Sequence, residues 1–157
     1  MVIDSSEEWL VGIFAAVVSD VQASGYFTQV NQHEPDRSPG PGITAAVWVQ
    51  ALEPVRVSGL HSTSARIEFI VRMYSNMHPG MLDYIDPQMI KAASNLVRRY
   101  HDDFDFGGAI RNIDLFGEFG TPLSVVAGYL PIAEKKTYRI MDITVPCIVN
   151  DVWQQVT

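Results

Sequence analysis

The chain has a single cysteine, Cys147, among 157 residues. One thiol excludes an intramolecular disulfide and a cysteine-based zinc site, which fits a reducing compartment. Positive charge is scarce where the chain begins. Residues 1–36 carry Asp4, Glu7, Glu8, Asp20, Glu34 and Asp36 but no lysine or arginine. The whole chain has a net charge of −7, so a surface that grips nucleic acid by its phosphates is not expected. The acidic start also lacks the positive region of a secretory leader. Long apolar runs are missing too: Trp9 to Val21 is interrupted by Gly12, Ser19 and Asp20 and is too short to span a bilayer. A soluble protein with no membrane partner is expected.

Catalytic constellations are equally sparse. His61 lies beside Ser62 and Ser64, but no Gly-x-Ser-x-Gly elbow is present, and neighbours on a strand point to opposite faces. Gly107, Gly108, Gly117 and Gly120 are dispersed turn glycines rather than a phosphate-cradling loop. Asp103-Phe104-Asp105-Phe106-Gly107 opens like a calcium loop, with His101 and Asp102 alongside, yet no bidentate glutamate follows at the required spacing. His33 and His78 sit in loop sequences with no second ligand nearby. No enzyme activity, metal or cofactor is expected. A small ligand-binding or hydrolytic domain is the contrasting class, and it needs a deep polar pocket around His61 or Asp103.

What the chain does have is a long alternating strand. From Thr63 on, Ala65, Ile67, Phe69, Val71 and Met73 fall on one face; Ser64, Arg66, Glu68, Ile70, Arg72 and Tyr74 fall on the other. This is the pattern of an antiparallel strand with its apolar face on the core and its charged face in water or against a partner. A helix is predicted from about Ser6 to Ser24, with Trp9, Leu10, Ile13, Phe14, Val17, Val18 and Val21 as a core stripe and Gly25 as its stop. A strand is predicted over Tyr26–Gln32. His33 to Gly42 reads as a loop, with three prolines, two glycines and no apolar anchor. A strand from Ile43 to Leu52 follows, broken by Glu53-Pro54. Asp86 is predicted to cap a second helix with Pro87 at its first position, ending near Tyr100. Three strands are then expected at 109–116, 123–132 and 137–149, with Pro146 marking an end, a bulge or an edge. Residues 150–157 read as a tail. The order α-β-β-β-α-β-β-β implies one domain over residues 1–157, of class α+β: a mainly antiparallel sheet of five to six strands with both helices on one face.

Several stretches together resemble a known family. They are Ser58-Gly59-Leu60-His61-Ser62-Thr63-Ser64-Ala65-Arg66, Arg72-Met73-Tyr74-Ser75-Asn76-Met77, Ile85-Asp86-Pro87 and Arg111-Asn112-Ile113-Asp114-Leu115. Gly120-Thr121-Pro122-Leu123-Ser124, Ile143-Thr144-Val145-Pro146 and Ile148-Val149-Asn150-Asp151-Val152-Trp153 complete the set. Over roughly residues 43–155 they are similar to the tail terminator, or tail completion, proteins of long-tailed bacteriophages, of the actinobacteriophage type. The resemblance implies a tube-like α+β sandwich and a homohexameric ring that caps the tail tube and ends its elongation. It also implies joining to the head connector or stopper protein, and a place in the virion at the head-proximal end of the tail after assembly in the host cytoplasm. A head-completion or stopper ring at the same junction is the nearest alternative. DNA passes through such a ring without sequence-specific binding; six chains of −7 carry −42, which lets it pass without adhering. Residues expected at assembly contacts are His33, Glu34, Asp36, Arg37, Arg56, His61, Arg66, Arg72, Asp151 and Trp153.

Overall fold

A computed structural model describes residues 8–32, 42–56, 62–76, 82–132 and 136–154. Its centre is the alternating strand, β3 (Ser62–Asn76), paired antiparallel on one side with β2 (Ile43–Val55) and on the other with β6 (Lys136–Gln154). A short β1 (Gln29–Asn31) adds to β2 in parallel. On the far side of β6 lie β4 (Asn112–Ile113) and, further along the same edge, β5 (Ser124–Ile132). Helices α1 (Glu8–Ala23) and α2 (Leu82–Asp102) complete a single α+β domain. Every strand pairing except β1–β2 is antiparallel.

Both helices cover one face of the sheet. Ile67, Phe69, Val71 and Met73 form a core with Ile13, Val17, Val18 and Val21 of α1 and Ile85, Met89, Ala92, Ala93, Leu96 and Tyr100 of α2, and Ala65 is buried as well. The period-two and period-3.6 stripes therefore meet as the sequence implies. Phe14 stacks on Phe69 with ring centroids 5.8 Å apart. Helix α1 ends where Gly25 takes φ +80° and donates to Gln22 C=O, a conformation that glycine adopts without a Cβ penalty.

Five boundaries differ from expectation, four of them for a local reason. Helix α2 starts at Leu82, so Pro87 lies inside it, where it withdraws the N–H that would bond Asp83 C=O. Asp86 is thus not a cap; its carboxylate receives Arg139 Nε at 2.8 Å. Strand β2 runs through Glu53-Pro54 to Val55, because there it is the sheet's edge and Pro54 owes no hydrogen bond outward. Strand β6 runs through Pro146 as far as Gln154, so residues 150–154 are not a loose tail. Asp114 N–H donates to Pro146 C=O at 2.8 Å, and Arg111 N–H to Ile148 C=O at 2.8 Å. Even-numbered residues of this part of β6 therefore turn their backbone groups toward β4 and β5. Pro146 faces the gap between those two strands and forfeits no ladder bond. The strand expected at 109–116 contracts to Asn112–Ile113, since residues 114–123 leave the edge and fold over the sheet. The strand expected at 26–32 contracts to β1.

Candidate assembly surface

Among the described residues, no helix covers the sheet face opposite α1 and α2. Its rows run across the strands: Ala46–Arg72–Asp142–Val126, Trp48–Ile70–Thr144–Ser124, Ala51–Glu68–Pro146 and Glu53–Arg66–Ile148–Asn112. At the centre, Arg72 makes a two-pronged bond to Asp142, with Nε–Oδ1 2.6 Å and Nη2–Oδ2 2.8 Å, and its guanidinium lies 5.2 Å from the Trp48 ring centroid. Both partners are half-buried, so this pair keeps contact with solvent. A satellite apolar group of Ala46, Tyr74, Tyr138 and Ile140, with Trp48 and Leu130 against it, occupies the end of this face toward Asn76.

Arg66 lies at the other end of the face and is 1% exposed. Expected at an assembly contact, it is enclosed within its own chain by residues 114–122. Its Nε reaches Asp114 Oδ2 at 3.3 Å, Nη1 bonds Glu68 and lies 3.6 Å from Glu53, and Nη2 bonds the carbonyl of Thr121. Asp114 in turn accepts the backbone N–H groups of Glu118 at 2.8 Å and Phe119 at 3.0 Å. One buried carboxylate thus caps a loop and neutralises a buried guanidinium, the pairing that makes charge burial tolerable. Gly117, at φ +72°, makes the sharp turn; a Cβ there would lie 2.5 Å from Gly120 C=O, and one on Gly120 2.7 Å from Arg66 Nη1. Arg66, Asp114 and Thr121, each from a different stretch of the resemblance, meet here.

Asp151 and Trp153 are also engaged internally. Between the pairs Thr63↔Trp153 and Ala65↔Val149, β6 bulges, and Asp151 adopts φ +54°. Ser62 Oγ donates to Asp151 Oδ1 at 2.5 Å, and Asp151 N–H donates to Ser64 Oγ at 3.2 Å. Trp153 packs edge-on against Trp9, with centroids 6.2 Å apart, tying the end of β6 to α1. Arg56 is exposed just past β2. His33, Glu34, Asp36, Arg37 and His61 lie outside the described residues, as does the loop 33–41.

Sequence reasoning missed the sheet edges. Residues 49–54 of β2 are exposed, and among the described residues nothing pairs with them beyond β3. Strand β5 likewise pairs with β6 alone among the described residues. Exposed Val49 and Leu52 on one edge, with Val126 and Tyr129 on the other, are large apolar side chains on open strands. Which strands end a sheet is a matter of pairing order, and no local residue pattern encodes it. Beside β5, a cavity of about 250 Å³ is lined by Leu82, Ile85, Asp86, Tyr129 and Arg139. Arg139 stacks on the Tyr129 ring at 4.4 Å and is held by both carboxylate oxygens of Asp86.

The acidic turn at 102–108 is structural in form: Asp103 Oδ1 accepts Gly107 N–H at 2.9 Å, and Gly107 and Gly108 take positive φ. Among the described residues no group of three or more histidine, cysteine or carboxylate side chains is placed to hold a metal ion. The Cys147 thiol is buried, and burial pushes its pKa up, away from the reactive thiolate. No described helix is long and apolar enough to cross a membrane.

What the fold and surface define is an α+β domain with helices on one face, a second face organised by two arginine–carboxylate centres, and two open edges. Comparison with protein-family models gives no match, and comparison with curated proteins gives none.

Proposed function

We propose that the chain is a structural virion protein, a tail terminator that forms a hexameric ring on the tail tube, ends tube elongation and joins the tail to the head connector. The observation that carries the reading is the sheet: among the described residues it is clothed by helices on one face only, and residues 49–54 of β2 and the outer side of β5 are left open. A subunit with two different unpaired edges suits head-to-tail joining, and a head-to-tail interface closes into a ring when its rotation permits. The ordered motifs that resemble tail terminators supply the particular assignment, and several of them meet at the Arg66–Asp114 centre. In this reading the chain needs no catalytic residue, and its partners are its own copies, the tube protein and the connector or stopper. DNA is a passenger through the acidic ring, and the site of action is the head-proximal end of the tail. The test is light scattering and negative-stain microscopy of the purified chain, alone and mixed with tube protein. Rings of six copies on tube ends are expected. A dimer or tetramer as the sole assembled species refutes the reading.

A further inference from the structure

We infer that Phe116 of one copy inserts into the cavity lined by Leu82, Ile85 and Tyr129 of another, so that an aromatic knob and its socket are carried on the same chain. The inference rests on the ring reading for the number of copies, and on the shape of the chain for the contact itself.

The knob stands on a loop tied down from within. The amides of Leu115, Gly117, Glu118, Phe119 and Gly120 all donate to oxygens of residues 113–117. Asp114 supplies three of those five acceptors, through its carbonyl and both carboxylate oxygens, and is itself anchored by Arg66. Gly117, at φ +72°, completes the turn that carries Phe116. A buried ion pair and a left-handed turn thus fix a loop whose foremost ring is 89% exposed and adds almost nothing to its own core. Phe119, three residues on, is 37% exposed. Single apolar side chains on a surface are ordinary. A bare ring on an immobilised backbone differs, because docking it costs little conformational entropy: two side-chain torsions remain to be fixed, and the backbone is already held.

The socket has the size and lining for that ring. Leu82 and Ile85 of α2 form one wall, and Tyr129 of β5 with Arg139 over its ring forms the other. Its volume of about 250 Å³ exceeds the roughly 150 Å³ of a cavity that takes up benzene. Leu82 is 51% and Tyr129 60% exposed, so an entering ring removes apolar surface on both sides from water. The rim is complementary in charge. Arg139 uses three of a guanidinium's five N–H donors, two on Asp86 and one on Gly128 C=O. Two are left for the carboxylate of Glu118, which is exposed two residues beyond Phe116.

A copy cannot fill its own socket. Asp114 N–H bonds Pro146 C=O, whereas Arg139 lies seven residues earlier on β6, roughly 23 Å away at about 3.3 Å per residue. The loop covers Arg66 on one face of the sheet, and the socket lies beside α2 on the other. Knob and socket are therefore different patches, and joining them makes a head-to-tail contact.

The test places the photoreactive residue p-benzoyl-phenylalanine at position 116 of the full chain and irradiates it alone and with tube protein. The expected product is a covalent link from residue 116 of one copy to residues 82–86 or 129–139 of another. Peptide mass spectrometry of mixed isotope-labelled and unlabelled chains locates the link and shows that it joins two copies. Phe116→Ser removes the knob and Leu82→Trp fills the socket; each is expected to lower the multimer fraction about tenfold with an unchanged melting temperature. Six-copy rings whose residue 116 links elsewhere, only to tube protein or not at all overturn this contact and leave the ring reading standing. Rings that form undiminished from Phe116→Ser do the same. A lower melting temperature for Phe116→Ser shows the ring packed within its own chain and overturns the knob. A chain that stays monomeric at all concentrations, with and without tube protein, overturns both.

Discussion

Replacing Arg66 by alanine is the sharpest perturbation of this fold. From the sequence, Arg66 stands on a solvated face, where truncation costs little. In the structure the substitution removes the cation from Asp114, which is 4% exposed, and the donor from Thr121 C=O, and leaves a void under the loop. Breaking a buried ion pair by deleting one partner costs about 3–5 kcal/mol, a large part of the roughly 5–15 kcal/mol that holds a domain together. For a chain of this length each kcal/mol moves the midpoint by about 2–4 °C, so a drop of roughly 6–20 °C is expected. Arg72→Ala is the internal control, because its pair with Asp142 is only partly buried and keeps contact with solvent, so a smaller cost of about 1 kcal/mol is expected. The double variant Arg66→Ala/Asp114→Ala is expected to cost less than the sum of the singles, by about 0.5–3 kcal/mol, since the Asp114 carboxylate is no longer left buried without its cation. Calorimetric melts of these three variants, of Asp114→Ala and of the parent chain decide the matter. An Arg66→Ala midpoint no lower than that of Arg72→Ala refutes the account of the buried centre.

Phe69→Ala empties the middle of the core under both helices and is expected to cost about 3–5 kcal/mol, read by urea unfolding. Gly120→Ala puts a methyl against a guanidinium pinned by four partners, so a loss of about 1–3 kcal/mol is expected by the same assay, with the largest chemical-shift changes at residues 114–122. Tyr100→Phe removes a buried hydroxyl that has no hydrogen-bond partner among the described residues; stability is expected to rise by about 1 kcal/mol in thermal melts. Burial raises the Tyr100 and Cys147 pKa values in the folded state. Their contribution is therefore intact below the ordinary values of about 9 for a thiol and 10 for a phenol, and is lost as pH climbs beyond them. Unfolding free energy is expected to fall above pH 9, with Cys147 unreactive to a thiol reagent until the chain opens.

The core was legible in the sequence because its periodicities are strict. Ala65 to Met73 at alternate positions, and Ile13, Val17 and Val21 along a helix, each admit one facing. The opposite face was not, because alternation says only that Arg66 points away from the core. Whether it meets water or a loop depends on residues 114–122, far along the chain, and on a turn that Gly117 and Gly120 permit. Pro87 and Pro146 misled for a related reason. A proline marks a missing N–H, and tertiary placement decides whether that N–H had a partner to lose. The open edges of β2 and β5 follow from strand order, which is a property of the whole sheet.

The carboxylate of Asp114 holds the amides of Glu118 and Phe119 with a side chain instead of a ladder. In hydrogen exchange, those two amides are consequently a clock for one event, the lifting of the loop from Arg66, separate from the opening of β3 and β6 beneath it. Their exchange rate measures how often the guanidinium is uncovered, and therefore how long the rim of the sheet beside Glu53 keeps its shape.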